Sequence, residues 1–158
     1  MKSARKITII YINGGRARDR LSMSEEFHYI GKVAQKVLVV SGDTVLIVRD
    51  ARDNVMWELP GGRLHYGESL EAGIRRELRE ELGVEIILGR VVYSEQFHQK
   101  RDGKLGLLIA YEAHLGPGQV ITPGDGEVVE YRWIKKEELE NFQIYDNCLN
   151  ALTVYFKK

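Results

Sequence analysis

Arg76, Glu77, Glu80 and Glu81 are the side chains whose types and spacing could do chemistry, and they follow a glycine-rich stretch, Pro60-Gly61-Gly62 and then Gly67-Glu68. Carboxylates at i, i+3 and i+4 share one flank of a helix. Turned at about 100° per residue, Leu70, Ile74, Leu78 and Leu82 form an apolar stripe. Glu77 and Glu81 fall within the edge of that stripe, on either side of Leu70, and Glu80 lies about 60° beyond Glu77. Like charges at these spacings repel by some tenths of a kcal/mol each, and partial burial sharpens the repulsion. Two arrangements relieve it. One is a solvated, salt-bridged face in which Arg76 pairs with Glu80 and Arg75 with Glu71. The other is a hard divalent cation such as Mg²⁺, which takes carboxylates, waters and substrate phosphates as ligands. The position of Glu77 and Glu81 against the apolar stripe favours the cation.

Positioning those groups needs a loop that bends sharply and a helix with defined ends. Pro60 fixes one backbone angle and Gly61 and Gly62 free the next two. Ser69 suits an N-cap, Glu68 and Glu71 suit the positive end of the helix dipole, and Gly83 suits the C-terminal cap. The helix is therefore expected over residues 70–82.

The stretch Gly62, Glu68, Arg76-Glu77-Leu78, Glu80-Glu81, Gly83-Val84 resembles the signature box of the Nudix (MutT-type) hydrolase family at every fixed position. The preceding Trp57-Glu58-Leu59-Pro60-Gly61 is similar to the family's usual approach to the box. The resemblance implies an α+β fold, an α/β/α sandwich with a mixed β-sheet between helices. It also implies Mg²⁺-dependent hydrolysis of a pyrophosphate linkage in a nucleoside diphosphate joined to another group, with Mn²⁺ able to substitute. Glu77 and Glu81 would be the main metal ligands, Glu80 a ligand or base, and a backbone carbonyl at Gly62 or Gly61 a further ligand. Arg76 would hold the glutamates, Glu68 would orient Arg76, and Gly61 would support the loop. The family often adds a carboxylate from outside the box. Glu127 is the candidate here, ahead of Glu130, with a solvated strand residue as the alternative. The candidate catalytic set is thus Glu80, Glu81, Arg76 and Glu127. Arg63, Tyr66 and Tyr145 are the candidate substrate contacts, with Phe97 a further aromatic able to stack on a base. The competing reading is a non-hydrolytic nucleotide-binding or sensing module of the same fold. A purely structural protein with a charged helix fits the match poorly.

The remaining sequence sets bounds. The 158 residues carry 23 Lys plus Arg against 23 Asp plus Glu, and this zero net charge argues against non-specific nucleic-acid or membrane binding. A single cysteine, Cys148, excludes a disulfide framework and a thiolate metal site. His28, His65, His98 and His114 have no metal-ligand spacing, and only His65 falls within the box loop. No run is long enough for a membrane span, and residues 7–12 are too short for a secretory core. The expectation is a soluble cytoplasmic protein acting on a small nucleotide.

Along the chain, residues 6–12 read as a strand, broken at Asn13-Gly14-Gly15 and followed by Arg16, Arg18 and Arg20. Residues 1–31 are expected to be an N-terminal extension, whose strand could exchange in a homodimer, and 32–158 the hydrolase domain. Strands are expected at 33–40 and 44–49 with a turn between them, a short extended piece at 56–59, and one or two extended segments over 84–97. Further strands are expected at 105–114 and 127–134. A short helix at 135–141 and a C-terminal amphipathic helix carrying Cys148, Leu149 and Leu152 complete the chain. Trp57 is expected to pack in the core.

Overall fold

A computed structural model of the chain describes residues 31–53, 55–98, 103–124 and 126–157. The strand expected at 6–12, the arginine cluster after it and His28 lie outside the described residues.

Strand β1 (Lys32–Ser41) is the hub. It runs parallel to β5 (Leu105–Leu115), from Lys32 opposite Gly106 to Val39 opposite Ala113. It then turns through Gly42-Asp43 into the antiparallel β2 (Thr44–Asp50). Beyond β5 lies β4 (Ile86–His98), and β2 pairs with β3 (Trp57–Glu58) and with β6 (Val128–Ile134). All pairs but β1–β5 are antiparallel, so the sheet is mixed. β4 is continuous through Gly89. Its register slips between Leu88 and Tyr93, and the irregularity absorbs the break that glycine suggests.

Period-two alternation divides β1 between two layers. Val37 and Val39 join Leu46, Val48 and Tyr111 beneath helix α1 (Leu70–Leu82), which contributes Ile74, Leu78 and Leu82. Leu38 and Val40 join Val45, Ile47, Trp57 and Leu59 beneath helix α2 (Asp146–Phe156), which contributes Cys148, Ala151 and Leu152. The result is an α+β sandwich with helices on both faces of a mixed sheet. Each fully buried Leu or Ile contributes about 1.5–3 kcal/mol.

The caps of α1 are those read from the sequence. Ser69 Oγ accepts the Ala72 N–H at 3.2 Å, and Gly83 is left-handed at φ 65°, its N–H bonded to the Arg79 carbonyl at 3.0 Å. Leu70 departs from expectation: it is exposed at the first position of α1, while Ile74, Leu78 and Leu82 of the same stripe are fully buried. Lys136–Asn141 is a 3₁₀ rather than an α-helix. It fully buries no side chain, and only Leu139 packs partly buried on the core, so little packing favours the wider helix. Trp57 is buried, edge-on to Phe142 at 5.3 Å.

Candidate active site

The glycine loop is laid along the free edge of β1. Pro60 accepts the Val37 N–H at 2.9 Å, Gly62 accepts the Gln35 N–H at 2.8 Å, and the Leu64 N–H reaches the Val33 carbonyl at 3.0 Å. Gly61, at φ 117°, is a conformation that suits glycine alone, and a Cβ there would sit 2.5 Å from the Gln35 carbonyl oxygen. At Gly62 the demand is space. A Cβ would lie 2.4–2.6 Å from the Glu77 carboxylate, which therefore packs directly on the Gly62 backbone.

Arg76 joins loop and helix. Its guanidinium donates from Nε to Glu68 Oε1 at 3.0 Å and from Nη2 to Glu68 Oε2 at 3.1 Å, a bidentate pair. Nη1 donates to Glu77 Oε1 and Glu80 Oε2, both at 2.9 Å, and Nη2 to the Arg63 carbonyl at 3.1 Å. The Arg76 bond holds the Glu68 carboxyl below its usual range. Both salt bridges of the solvated-face reading form, Arg76–Glu80 and Arg75–Glu71. Only Glu71 and Glu80 among these acids are well exposed, whereas Glu77 is buried. Glu81, half-buried, accepts the Gly61 N–H at 2.7 Å. Burial pushes its carboxyl up to about 7, against the opposing pull of nearby Lys36.

The loop that carries Glu127 docks on the end of α1. The Thr122 N–H bonds to the Leu82 carbonyl at 2.8 Å and the Gly124 N–H to the Glu81 carbonyl at 3.1 Å. Glu127 is exposed, and its carbonyl accepts the Ala51 N–H. Glu130 is instead paired with Arg49 and Arg132. Arg63 and Tyr66 are exposed and line a shallow groove with Lys32, Leu64 and His65. Tyr145 sits against Asp53, to which its hydroxyl donates, and that bond raises the phenol to about 12. Phe97 covers Gly106 on the neighbouring strand, a packing role. His98 and His114 pair with the Gly103 and Val40 carbonyls.

The sequence model of the NUDIX domain matches residues 32–152, well over half of the chain. The chain belongs to the NUDIX family. It is 28% identical over 116 residues to the NAD-capped RNA hydrolase NudC of Mycobacterium tuberculosis, a match covering 73% of this chain and 36% of the relative. It is 45% identical over 51 residues to the putative 8-oxo-dGTP diphosphatase 2 of the same organism, covering 30% of this chain and 36% of that protein. The chain thus spans little more than a third of the length of these curated relatives. Among solved structures, a NUDIX hydrolase from Nitrosomonas europaea superposes with a TM-score of 0.71 at 16% identity, over 81% of this chain and 90% of that one. The fold is therefore the NUDIX fold.

NUDIX enzymes generally use divalent cations, and the donors of this NUDIX box suit one. The candidates Glu77, Glu80, Glu81 and the loop carbonyls offer oxygen only, the preference of a hard ion. Five carboxylates, Glu58, Glu68, Glu77, Glu80 and Glu81, are gathered around two cations, Lys36 and Arg76, which leaves excess negative charge at the helix flank. Among the described residues no three His, Cys, Asp or Glu side chains already stand together as a ligand cluster. Arg76 and the Gly61 N–H draw the carboxylate oxygens toward themselves instead.

Two residues at this site escaped the sequence reading. Lys36 is buried in β1 and donates from Nζ to Glu58 Oε2 at 2.7 Å and to the Gly61 carbonyl at 2.6 Å. Gln35, fully buried, donates from Nε2 to the Leu70 carbonyl at 2.7 Å and to Tyr111 Oη at 3.2 Å, tying α1 to β1 and β5. The available signal was a polar pair, Gln35-Lys36, set between the apolar Val33-Ala34 and Val37–Val40. No helix among the described residues is long and apolar enough to cross a membrane.

Proposed function

We propose that the chain is a pyrophosphohydrolase that cleaves a nucleoside diphosphate linked to another moiety. Its working ion would be Mg²⁺, with Mn²⁺ as a substitute. The observation that carries this reading is the Arg76 web, which holds Glu68, Glu77 and Glu80 together while the Gly61 N–H holds Glu81. A structural salt-bridge network has no need to bury Glu77 against the Gly62 backbone or to leave Glu81 so desolvated.

In this reading Glu77, Glu80, Glu81 and a carbonyl at Gly61 or Gly62 hold the ion. A divalent cation bound there supplies charge neutralisation of the phosphates and a more acidic water. Arg76 keeps the carboxylates oriented, and Glu68 keeps Arg76 oriented through a bidentate bond. Glu80 is the most exposed of the three helix acids and is suited to take a proton from the attacking water. Glu127, on a loop docked to the last turn of α1, is suited to assist from outside the box. Arg63 and Tyr66 are the candidate contacts for phosphate or base, with Tyr145 a more distant one.

The hydrolase unit of this proposal is 32–158. Residues 1–31 are an extension outside that unit, and the protein works in the cytoplasm on a small nucleotide. The test is phosphate release, with and without Mg²⁺, from a panel of nucleoside triphosphates, 8-oxo-dGTP, ADP-ribose, nucleotide sugars, NAD and dinucleoside polyphosphates. Release from at least one compound, abolished by EDTA, is the expected result. Tight nucleotide binding with no release from any of them would favour the sensing module.

A further inference from the structure

Lys36 is a charge in the buried middle of β1: Val37, Leu38 and Val39 beside it are fully covered, and Lys36 itself is 8% exposed. Burying an ammonium is strongly unfavourable unless its hydrogen bonds and counter-charges are in place. Both are present. Nζ bonds to Glu58 and to the Gly61 carbonyl, and Glu81 lies close enough to attract it. Glu58 and Glu81 in turn repel each other, so Lys36 neutralises two carboxylates that would otherwise push apart.

The contact with Gly61 gives this arrangement its meaning. Gly61 has its N–H taken by Glu81 and its carbonyl taken by Lys36, in a conformation open only to glycine. The carbonyl is one of the two proposed as a ligand of the ion. A cation of the chain's own therefore sits on a candidate ligand oxygen and beside a candidate ligand carboxylate.

We propose that Lys36 is a built-in counter-cation of the site. With no divalent ion bound, it holds the Gly61 carbonyl, Glu58 and Glu81 in place. When an ion binds, it takes over part of that task against the repulsion of the ammonium. Lys36 is a positioning residue in this account, and it keeps the site assembled at the expense of weaker ion binding. The inference rests on the metal reading proposed above.

The test compares full-length wild type with Lys36→Met, which keeps much of the length and removes the charge. Mn²⁺ affinity is measured by calorimetry, and melting temperature is followed in EDTA and in Mn²⁺. Lys36→Met should melt lower than wild type in EDTA, recover more on adding Mn²⁺, and bind Mn²⁺ roughly tenfold tighter or more. Damage to the fold alone would not tighten ion binding. Equal or weaker Mn²⁺ binding by Lys36→Met, or an unchanged melting temperature in EDTA, would overturn the proposal. If Lys36→Met does not fold, the wild-type Lys36 ammonium resonance is followed by ¹⁵N NMR during Mg²⁺ addition. Movement that saturates with ion binding supports the proposal, and a resonance unmoved at saturation overturns it. A wild-type protein that takes up no Mn²⁺ removes the metal reading itself. Wild type that binds, beside a variant that binds no tighter, removes only the role of Lys36.

Discussion

Helices α1 and α2 cover opposite faces of one sheet with cores of similar make-up, yet only α1 buries a charge. α2 places Cys148, Ala151 and Leu152 against Leu38, Ile47 and Leu59, all of them closely buried. α1 places Ile74, Leu78 and Leu82 against Val37, Val39 and Leu46, and beside them buries Glu77 and half-buries Glu81. The apolar residues explain why both helices stay on the sheet. They do not explain why one helix tolerates carboxylates at its margin. The difference teaches that attachment and chemistry are separable here: the apolar stripe of α1 does what α2 does, and its acids answer to something else.

The sharpest way to break that comparison is Glu81→Gln. If the acids of α1 serve an ion, this variant should lose hydrolytic activity by about a hundredfold or more, since oriented charge at the reacting centre is worth that much elsewhere. It should fold normally and melt no lower than wild type in EDTA near pH 8, because it removes a desolvated charge. A salt-bridge role predicts lower melting and wild-type hydrolysis. Melting curves with and without Mg²⁺, beside the rate on the best panel substrate, separate the two.

The matching change on the other face is Leu152→Ala. Removing a fully buried leucine should cost about 2–5 kcal/mol, read as a shift in urea midpoint. The folded fraction should keep wild-type Mn²⁺ affinity and turnover. A change in ion affinity would show that the two faces are coupled through the sheet and would end the separation argued above.

A pH series sharpens the contrast from another side. The Glu81 carboxyl is pushed from its ordinary 4.5 to about 7 by burial. Below 4.5 it is protonated in both the folded and unfolded chain. Between 4.5 and 7 the folded chain holds a proton that the unfolded chain has lost, so stability falls as pH rises through that window and levels off above it. The loss is on the order of 3 kcal/mol from this group, measured in EDTA, and Glu81→Gln should remove the slope. Glu68, held low by Arg76, contributes in the opposite sense: its stabilisation is lost as pH falls below the ordinary carboxylate range, outside the Glu81 window. A metal-free protein with no fall between 4.5 and 7 would mean that Glu81 is well solvated.

The site was legible in the sequence wherever local chemistry carries its own geometry. Ser69 and Gly83 marked the ends of α1 because capping is a matter of adjacent residues. The Arg76–Glu80 bond follows from i,i+4 helix spacing, whereas the bonds of Arg76 to Glu77 and Glu68 were expected from the family resemblance. Lys36 and Gln35 were not legible, because their partners Glu58, Gly61, Leu70 and Tyr111 lie 22 to 76 residues away. Their burial depends on the loop pairing along β1 and on the parallel β1–β5 pair, and no local pattern reports either. Leu70 shows the converse error: helical periodicity assigned it to the buried stripe, but periodicity does not say where along a helix burial stops.

The smallest expected effect concerns Glu127, which belongs to neither helix and so tests whether the chemistry stops at α1. Its loop is bonded to the last turn of α1 at the Leu82 and Glu81 carbonyls, which brings the segment to the site without burying its acid. Glu127 lies outside the Arg76 web that orients Glu77 and Glu80, so it is better suited to accept a proton or steer a water than to anchor the ion. Glu127→Gln should therefore lower turnover by about tenfold or more, within the range typical of a single general base, while Mn²⁺ affinity stays within about twofold, since the main ligand charges of this reading lie on α1. Glu130→Gln is the control. It loses the Arg49 and Arg132 pairs and should lower stability modestly with turnover retained. If Glu127→Gln turns over at the wild-type rate, Glu127 is a solvated residue ahead of β6, and the acids of α1 must supply the proton acceptor alone. If it loses ion affinity in step with turnover, the ligand set extends beyond α1 and its glycine loop, and the contrast between the two helices no longer accounts for where the charge is placed.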